Sequence, residues 1–228
     1  MMSAIKRLAS RLPIRYQQEL KRLHFANQIR NRSFKTAESE DREYARLHEW
    51  AGPGDWVLDI GANVGNYTAR LSEIVGAAGR VLAFEPVPEN FELLTANIAR
   101  FPLRNVTLLN VAVSDQVGLC GMTMPTLETG LQNRYMAQIT AAKADLSVIG
   151  LPVDALQIPN RVTVVKIDVE GHELSALRGM KALILRDHPV LVVEGRAADV
   201  ASYLESFGYH YADAQDSPNR VWTWLKRG

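Results

Sequence analysis

The sequence predicts an α/β fold, in which a doubly wound, mostly parallel seven-stranded sheet ends in a C-terminal antiparallel hairpin and follows an N-terminal helical extension. Short apolar runs alternate with segments of helical periodicity from about residue 55 onwards, as consecutive βα units require. Two final strand patterns, Tyr209–Tyr211 and Val221–Leu225, flank the turn residues Ser217–Asn219. This arrangement favours a closing hairpin over another parallel crossover.

Length and composition indicate one folded domain with an extension. The 228 residues fit a single α/β domain, and a hydrophobic content of 47% is sufficient for its core. The net charge of +1 argues against a general attraction to nucleic acid, so no nucleic-acid partner is expected. We predict a basic helical extension over residues 1–50 and the main domain over residues 51–228.

The extension is strongly basic. Its first 35 residues contain nine lysines and arginines and a single acidic residue, Glu19. Apolar residues recur there at helical spacing, and Pro13 interrupts the pattern. A docked amphipathic helix, an arm that touches a membrane surface or an anionic substrate, and a contact in a homo-oligomer all remain open.

The cysteine content and hydropathy predict a cytoplasmic protein. The single cysteine, Cys120, excludes an intrachain disulfide and is typical of a reducing compartment. No apolar run is long enough to span a bilayer, and the start lacks the apolar core of a signal peptide.

A glycine turn, Asp59–Gly65, follows the first apolar strand and precedes a helical pattern. Gly61 and Gly65 allow the backbone to approach a ligand, and the new helix offers unpaired N–H groups, although such turns also occur for packing alone. The next strand ends in Glu85, where nucleotide-binding units place an acid that accepts hydrogen bonds from ribose hydroxyls. The cofactor is therefore predicted to contain adenosine or a similar nucleoside.

The spacing within this turn discriminates between adenosine cofactors. A nicotinamide fingerprint needs glycines at its first, third and sixth positions, which are here Gly61, Asn63 and Asn66, so the packing role of the last glycine is absent. Asp59 stands two residues before Gly61. Its negative charge would repel a pyrophosphate, whereas it suits the cationic S-adenosylmethionine. The sequence thus favours S-adenosylmethionine over NAD.

The remaining elements complete the alternation. Pro88 starts a helix, a third strand is predicted over Val106–Val113, and the last helix ends at Gly208. The region 118–160 is loosely patterned, with possible short strands and the polar stretch Gln132–Tyr135, and it is expected to form a lid that contacts the substrate.

The fourth strand carries unusual charges. It is apolar up to Lys166, after which Lys166, Asp168 and Glu170 alternate and so share one face while the strand lasts. A buried Lys–Asp pair that ties strand to loop is one interpretation, and a functional site is the other, because burying three charges is costly. His172 opens the next helix, and Glu194 ends the following strand.

With these residues assembled, the chain resembles the FkbM family of S-adenosylmethionine-dependent methyltransferases from about Gly54 to Glu194. Four motifs in order carry the resemblance: Asp59–Gly65, Phe84–Pro86, Ala112–Asp115 and Lys166–Leu174. The resemblance implies a class I methyltransferase (Rossmann-like) sheet and methyl transfer, commonly to a hydroxyl of a sugar, glycan or secondary metabolite. Val153–Asp154 departs mildly from the usual Leu-Asp, and no motif covers the N-terminal arm or region 118–160.

The resemblance also implies the cofactor contacts. The glycine turn would line the methionine end, Glu85 would hold the ribose and the stretch Val111–Ser114 would border the adenine. The expected cofactor-binding residues are Asp59, Gly61, Asn63, Gly65, Thr68, Glu85, Pro86, Val111, Ala112, Ser114 and Asp168.

A general base is expected at the carboxyl edge of the sheet, where the fourth strand neighbours the first. We predict that Glu170 is this base, that Asp168 lies nearer the amino group of the cofactor, and that Lys166 balances their charge. His172 and Glu194 are the reserve candidates. We predict no metal, and a divalent ion held by Asp168, Glu170 and His172 is the competing mechanism. Methylation of nitrogen or carboxyl groups and a non-catalytic cofactor-binding module stay open as alternatives.

Overall fold

The strands of the computed structural model form two sheets. The structure describes residues 12–31, 33–34, 42–125, 136–140, 144–212 and 217–225. Its strands are β1 (Trp56–Ile60), β2 (Arg80–Phe84), β3 (Val106–Leu109), β4 (Ala112–Val113), β5 (Gly118–Thr123), β6 (Gln138–Thr140), β7 (Leu146–Leu151), β8 (Val162–Ile167), β9 (Val190–Glu194), β10 (Tyr209–Ala212) and β11 (Asn219–Trp224). The larger sheet has the order β10-β11-β9-β8-β1-β2-β3, in which only β11 runs antiparallel to both its neighbours. The predicted seven-stranded sheet with a closing hairpin is confirmed.

Helices cover both faces of the larger sheet. They are α1 (Ile14–Arg30), α2 (Arg42–Trp50), α3 (Asn66–Val75), α4 (Pro88–Ile98), α5 (Glu173–Arg178), α6 (Lys181–Asp187) and α7 (Ala198–Glu205). Alternate residues of β1 face opposite layers: Val57 packs with α2 and α3, whereas Leu58 and Ile60 pack with α5 and α6. Because both faces are buried, the central strands are mainly apolar rather than alternating, and Asp59 of β1 and Lys166 of β8 are buried exceptions.

The third strand is shorter than predicted. β3 ends at Leu109, and the residues expected to continue it form β4 in a second sheet of order β4-β7-β5-β6. Asn110 causes the break, because its side-chain amide donates to the carbonyl oxygens of Glu85 and Pro86, at 2.8 and 3.1 Å, instead of extending the ladder. The loosely patterned region 118–160 therefore contains most of a small sheet, and its stretch 132–135 lies outside the described residues.

The helix after His172 is also interrupted. It ends at Arg178, and α6 begins at Lys181 as a separate element that the sequence analysis did not distinguish. Gly179 lies between them, and a Cβ there would be 2.0 Å from the carbonyl oxygen of Ser114. The chain thus breaks where α5 packs directly on the backbone that follows β4.

The N-terminal helix α1 packs on α4. Arg22 forms an ion pair with Glu92, and Phe25 contacts Phe34, which in turn contacts Phe101 beyond the end of α4. The division at residue 50 stays a prediction, and the parts of the extension at residues 1–11, 32 and 35–41 lie outside the described residues. Among the described helices, none has the length and apolar character that crossing a bilayer requires.

Candidate active site

A cleft of about 250 Å³ opens at the carboxyl edge of the larger sheet, between the ends of β1, β2 and β8 and the second sheet. Seven of the predicted cofactor-binding residues line it: Gly61, Asn63, Glu85, Pro86, Val111, Ala112 and Asp168. The predicted catalytic residues Asp168, Glu170 and His172 line the same cleft. The structure therefore brings together the residues that follow four different strands.

Gly61 sets the floor of the cleft where β1 ends. Its φ angle is +82°, and a Cβ at this position would be 1.7 Å from the carbonyl oxygen of Asp168. The backbones that follow β1 and β8 therefore touch, which only glycine permits here. Asn63 also has a positive φ of 50°, and its buried Oδ1 has no hydrogen-bond partner among the described residues. An unpaired acceptor in the wall of a cleft suits a donor on a ligand.

Glu85 is held rigidly at the end of β2. Its Oε2 accepts from the backbone N–H of Asn63 at 2.8 Å and its Oε1 from that of Val87 at 2.9 Å, and the Asn90 side chain also hydrogen-bonds to it. Burial raises the pKa of Glu85 to about 7, although these hydrogen bonds oppose the rise. Asn90 was not among the predicted site residues. It is buried in the first turn of α4, two residues after Pro88, and this closeness to the strand end that carries Glu85 could have indicated it.

Gly65 has a different role from the one predicted. It does not line the cleft, and a Cβ there would be 2.7 Å from Leu94 and 3.3 Å from Ile98 of α4. Gly65 therefore has the packing role that the sequence spacing indicated to be absent, because it lets the chain lie close to α4.

Asp59 and Thr68 lie beneath the cleft rather than in its wall. Asp59 is 1% exposed, and its Oδ2 accepts a hydrogen bond of 2.5 Å from Thr68 Oγ1. Burial raises the pKa of Asp59 to about 6 against this hydrogen bond and the charge of Lys166. Neither side chain lines the cleft in this structure, because the two are hydrogen-bonded to each other below its floor. Their expected contact with the cofactor stays a prediction.

The charges of the fourth strand form one cluster. Lys166 is buried beneath the cleft, with its Nζ 3.2 Å from Asp168 Oδ2 and 5.0 Å from the centre of the Tyr67 ring. Burial alone would raise the pKa of Asp168, but the charge of Lys166 and a hydrogen bond with Glu194 keep it below its usual range. That hydrogen bond, together with burial, raises the pKa of Glu194 to about 8. At neutral pH, Glu194 therefore keeps its proton and donates a hydrogen bond to the Asp168 carboxylate.

Glu170 stands at the rim of this cluster, after β8 has ended. Its backbone is left-handed, with a φ of +51°, and its pKa is raised by partial burial and by the neighbouring charge of Asp168. Carboxylate oxygens of Asp168, Glu170 and Glu194 lie within 4.8 Å of one another. Among the described residues, Glu194 rather than His172 thus completes the group that could hold a divalent ion with Asp168 and Glu170. The expectation that no metal takes part stays a prediction.

His172 is bonded elsewhere. Its Nε2 lies 3.2 Å from Ser114 Oγ, and Ser175 Oγ lies 3.3 Å from the same oxygen and donates to Asp115 at 2.8 Å. Burial lowers the pKa of His172. Ser114 was predicted to contact the cofactor, but it does not line the cleft. Its hydroxyl instead connects the end of β4 to the start of α5.

The second sheet forms one wall of the cleft, although only substrate contacts were expected from region 118–160. Met122 of β5 and Ile139 of β6 face the cleft beside Val111 and Val113, with Met136 at its margin. The wall is apolar, as a flat aromatic base requires. The expected substrate contacts of this region stay a prediction.

Comparison with known proteins places this site in a family. The sequence pattern of the methyltransferase FkbM domain matches residues 59–211, more than half of the chain. The hexuronic acid methyltransferase AglP of Haloferax volcanii is 31% identical over 134 residues, which cover 59% of this chain and 53% of that protein. The chain thus spans about half the length of AglP. The 31-O-demethyl-FK506 methyltransferase FkbM of Streptomyces tacrolimicus is 27% identical over 214 residues, with 77% of this chain and 80% of that protein covered.

Solved structures share the architecture. The crystal structure of methyltransferase FkbM from Methylobacillus flagellatus KT superimposes with a TM-score of 0.54 at 18% identity, and covers 80% of this chain and 50% of that one. A putative rRNA methylase from Clostridium thermocellum gives the same TM-score at 15% identity, over 85% of this chain and 97% of that one. At such identities the likeness concerns the fold, a class I methyltransferase sheet. Taken with the family pattern over residues 59–211, it leads to the conclusion that the chain belongs to the FkbM methyltransferase family.

Proposed function

We propose that this protein transfers a methyl group from S-adenosylmethionine to a hydroxyl oxygen of a sugar or a similarly hydroxylated small molecule. The family uses S-adenosylmethionine, which supplies a methyl group bonded to a cationic sulfur. The observation that carries the choice of oxygen is the carboxylate of Glu170, placed in the same cleft as the ribose-binding acid Glu85.

The residues of the cleft fit the cofactor. Glu85 presents a fixed carboxylate that can accept hydrogen bonds from two ribose hydroxyls. The apolar side chains of Val111, Val113 and Met122 suit the adenine. Asp168, kept ionised by Lys166, offers a negative charge for the amino group of the methionine part.

Glu170 is suited to act on the acceptor. A hydroxyl must lose its proton as the new carbon–oxygen bond forms, and a carboxylate with a moderately raised pKa accepts a proton without being neutralised beforehand. The proton then leaves to water at the open side, where a shallow hollow shared by Glu170, Glu173, Glu194 and Arg196 adjoins the cleft. Two relatives support a small hydroxylated acceptor, since one is named for a hexuronic acid and the other for the 31-O-demethyl form of FK506.

The decisive experiment supplies labelled S-adenosylmethionine with separate panels of uronic acids, neutral sugars, phenols and lipid-linked glycans. We expect label in a hydroxyl-bearing product, with an O-methyl group identified by mass spectrometry. Methylation of an amine or a carboxyl group instead would replace the proposal by its closest alternative. Tight cofactor binding without transfer to any acceptor would favour a non-catalytic module. A cytoplasmic location and a homo-oligomer stay predictions.

The protonation of Glu85 is expected to control cofactor affinity. With a pKa of about 7 the free carboxyl is mostly protonated near pH 6 and mostly ionised near pH 8, and only the ionised form accepts from both ribose hydroxyls. Affinity for S-adenosylhomocysteine should therefore rise by up to about tenfold between about pH 6 and pH 8. For folding the sign is opposite: the raised pKa makes the free energy of unfolding fall as the pH rises from 4.5 to about 7.

Calorimetry on Glu85→Gln tests this expectation. The variant should bind S-adenosylhomocysteine about 1.5–3 kcal/mol more weakly near pH 8. The rise in affinity between about pH 6 and pH 8 should disappear. Glu205→Gln, at an exposed position of α7, is the matched control and should behave as the parent protein does. A parent protein whose affinity does not change with pH would contradict the role given to Glu85.

A further inference from the structure

The outer face of α1 carries a stripe of exposed apolar side chains. Leu12, just before the helix, and Tyr16, Leu20 and Leu23 within it are spaced by four, four and three residues, so they lie on one side. Their exposed fractions are 40%, 49%, 47% and 60%. The opposite side of α1, which includes Phe25, packs on the domain. A helix that exposes an apolar stripe on the side away from its packed face offers a surface for another contact.

The stripe lies in the most basic part of the chain. Of the first 35 residues nine are lysine or arginine and one is acidic, whereas the whole chain has a net charge of only +1. The rest of the protein is therefore net negative. This separation of charge favours an anionic partner at α1 and repels the same partner from the remaining surface.

The direction of α1 relates the stripe to the cleft. Arg22 of α1 pairs with Glu92 near the start of α4, whereas Phe34, just beyond the end of α1, contacts Phe101, just beyond the end of α4. α1 thus runs in the same direction as α4, whose first residues follow the cleft residues Glu85–Val87. The first turns of α1 consequently point towards the edge of the sheet that carries the cleft.

We propose that the apolar stripe of α1 binds the surface of an anionic lipid bilayer, with Leu12, Tyr16, Leu20 and Leu23 inserted among the headgroups and the basic character of the first 35 residues favouring acidic lipids. This combination of apolar side chains and positive charge is the one that interfacial helices use. A second copy of the chain is the less suitable occupant, because a symmetric contact through this face would bring two strongly basic segments together. The membrane-bound protein presents its cleft to acceptors carried at the bilayer surface.

Vesicle sedimentation with the full 228-residue chain tests the proposal, independently of any methyl transfer. The probes are phosphatidylcholine vesicles and vesicles in which about one third of the lipid is phosphatidylglycerol. We expect binding to the anionic vesicles only, and a marked loss of binding when the salt concentration rises to about 0.5 M. The double substitution Leu20→Ser and Leu23→Ser should lower the bound fraction at low salt at least about tenfold.

A matched double substitution, Leu119→Ser and Ile149→Ser, removes two similarly exposed apolar side chains from a cross-strand pair of the second sheet. It should bind vesicles as the parent chain does, and circular dichroism should show both double variants to be folded. Absence of binding to anionic vesicles overturns the proposal, and so does equal loss in the two variants. A parent dimer in sedimentation velocity that becomes monomeric on the α1 substitutions would assign the stripe to a second copy and overturn it as well.

Discussion

Replacement of Glu170 by glutamine is expected to lower turnover at least a hundredfold while leaving the affinity for S-adenosylmethionine almost unchanged. Glutamine keeps the size of the side chain and its left-handed backbone position, but it cannot accept the hydroxyl proton. General-base assistance contributes about 10²–10⁴-fold to a rate, which sets the scale of the loss. The substitution leaves the cleft residues Glu85 and Asp168, which we propose bind the cofactor, in place, so the defect should appear in kcat rather than in cofactor binding.

Glu194→Gln is the informative control. Glu194 is protonated at neutral pH and donates to Asp168, because its pKa is raised to about 8. Its amide replacement can donate the same hydrogen bond, so the loss of turnover should stay below about tenfold. Steady-state kinetics on both variants, with cofactor binding measured by calorimetry, separate the two roles. If Glu194→Gln is inactive and Glu170→Gln is active, the assignment of the base is overturned.

Replacement of Gly61 by alanine is expected to destabilise the fold by about 2–5 kcal/mol and to abolish cofactor binding. The new methyl group would lie 1.7 Å from the carbonyl oxygen of Asp168, so the chain after β8 must move. Overpacking against backbone costs about 1–3 kcal/mol, and the left-handed φ of +82° adds about 1–2 kcal/mol for any residue with a Cβ. Urea unfolding followed by circular dichroism measures the loss.

Gly171→Ala separates steric collision from backbone strain. Gly171 has a φ of +96°, but a Cβ there would meet nothing within 4 Å. Its replacement should therefore cost only the strain of about 1–2 kcal/mol and should leave cofactor affinity nearly intact. Equal destabilisation of the two variants would show that the contact between Gly61 and Asp168 does not matter to the fold.

The larger sheet could be predicted because its signals are local. Each strand is an apolar run bounded by turn residues, and each acid at a strand end marks the carboxyl edge. The break after Leu109 could not be predicted, because it depends on Asn110 donating to Glu85 and Pro86, which lie far away in sequence. The second sheet was missed for the same reason, since β4 and β7 pair only after the chain has turned away from β3.

Within the site, the sequence predicted which residue types meet but not which surface each presents. Gly61, Glu85, Asp168 and Glu170 line the cleft as expected, because their positions follow from the ends of strands. Asp59 lies two residues before Gly61, yet its carboxylate is turned under the floor and bonded to Thr68. Glu194 was named only as a reserve base. Its closeness to Asp168 could not be predicted, because the ends of β8 and β9 meet only through the parallel pairing of these strands.

The way Glu85 is held has a consequence for inhibition. Two backbone N–H groups fix its carboxylate before any ligand arrives, so binding a ribose there requires little ordering of the side chain. The ribose does not change when the methyl group leaves, so the proposed contact with Glu85 should hold the spent cofactor as firmly as the fresh one and should contribute nothing to the rate of the chemical step. The protein should accordingly be slowed by its own product, S-adenosylhomocysteine, and sustained methylation should depend on removal of that product by another enzyme.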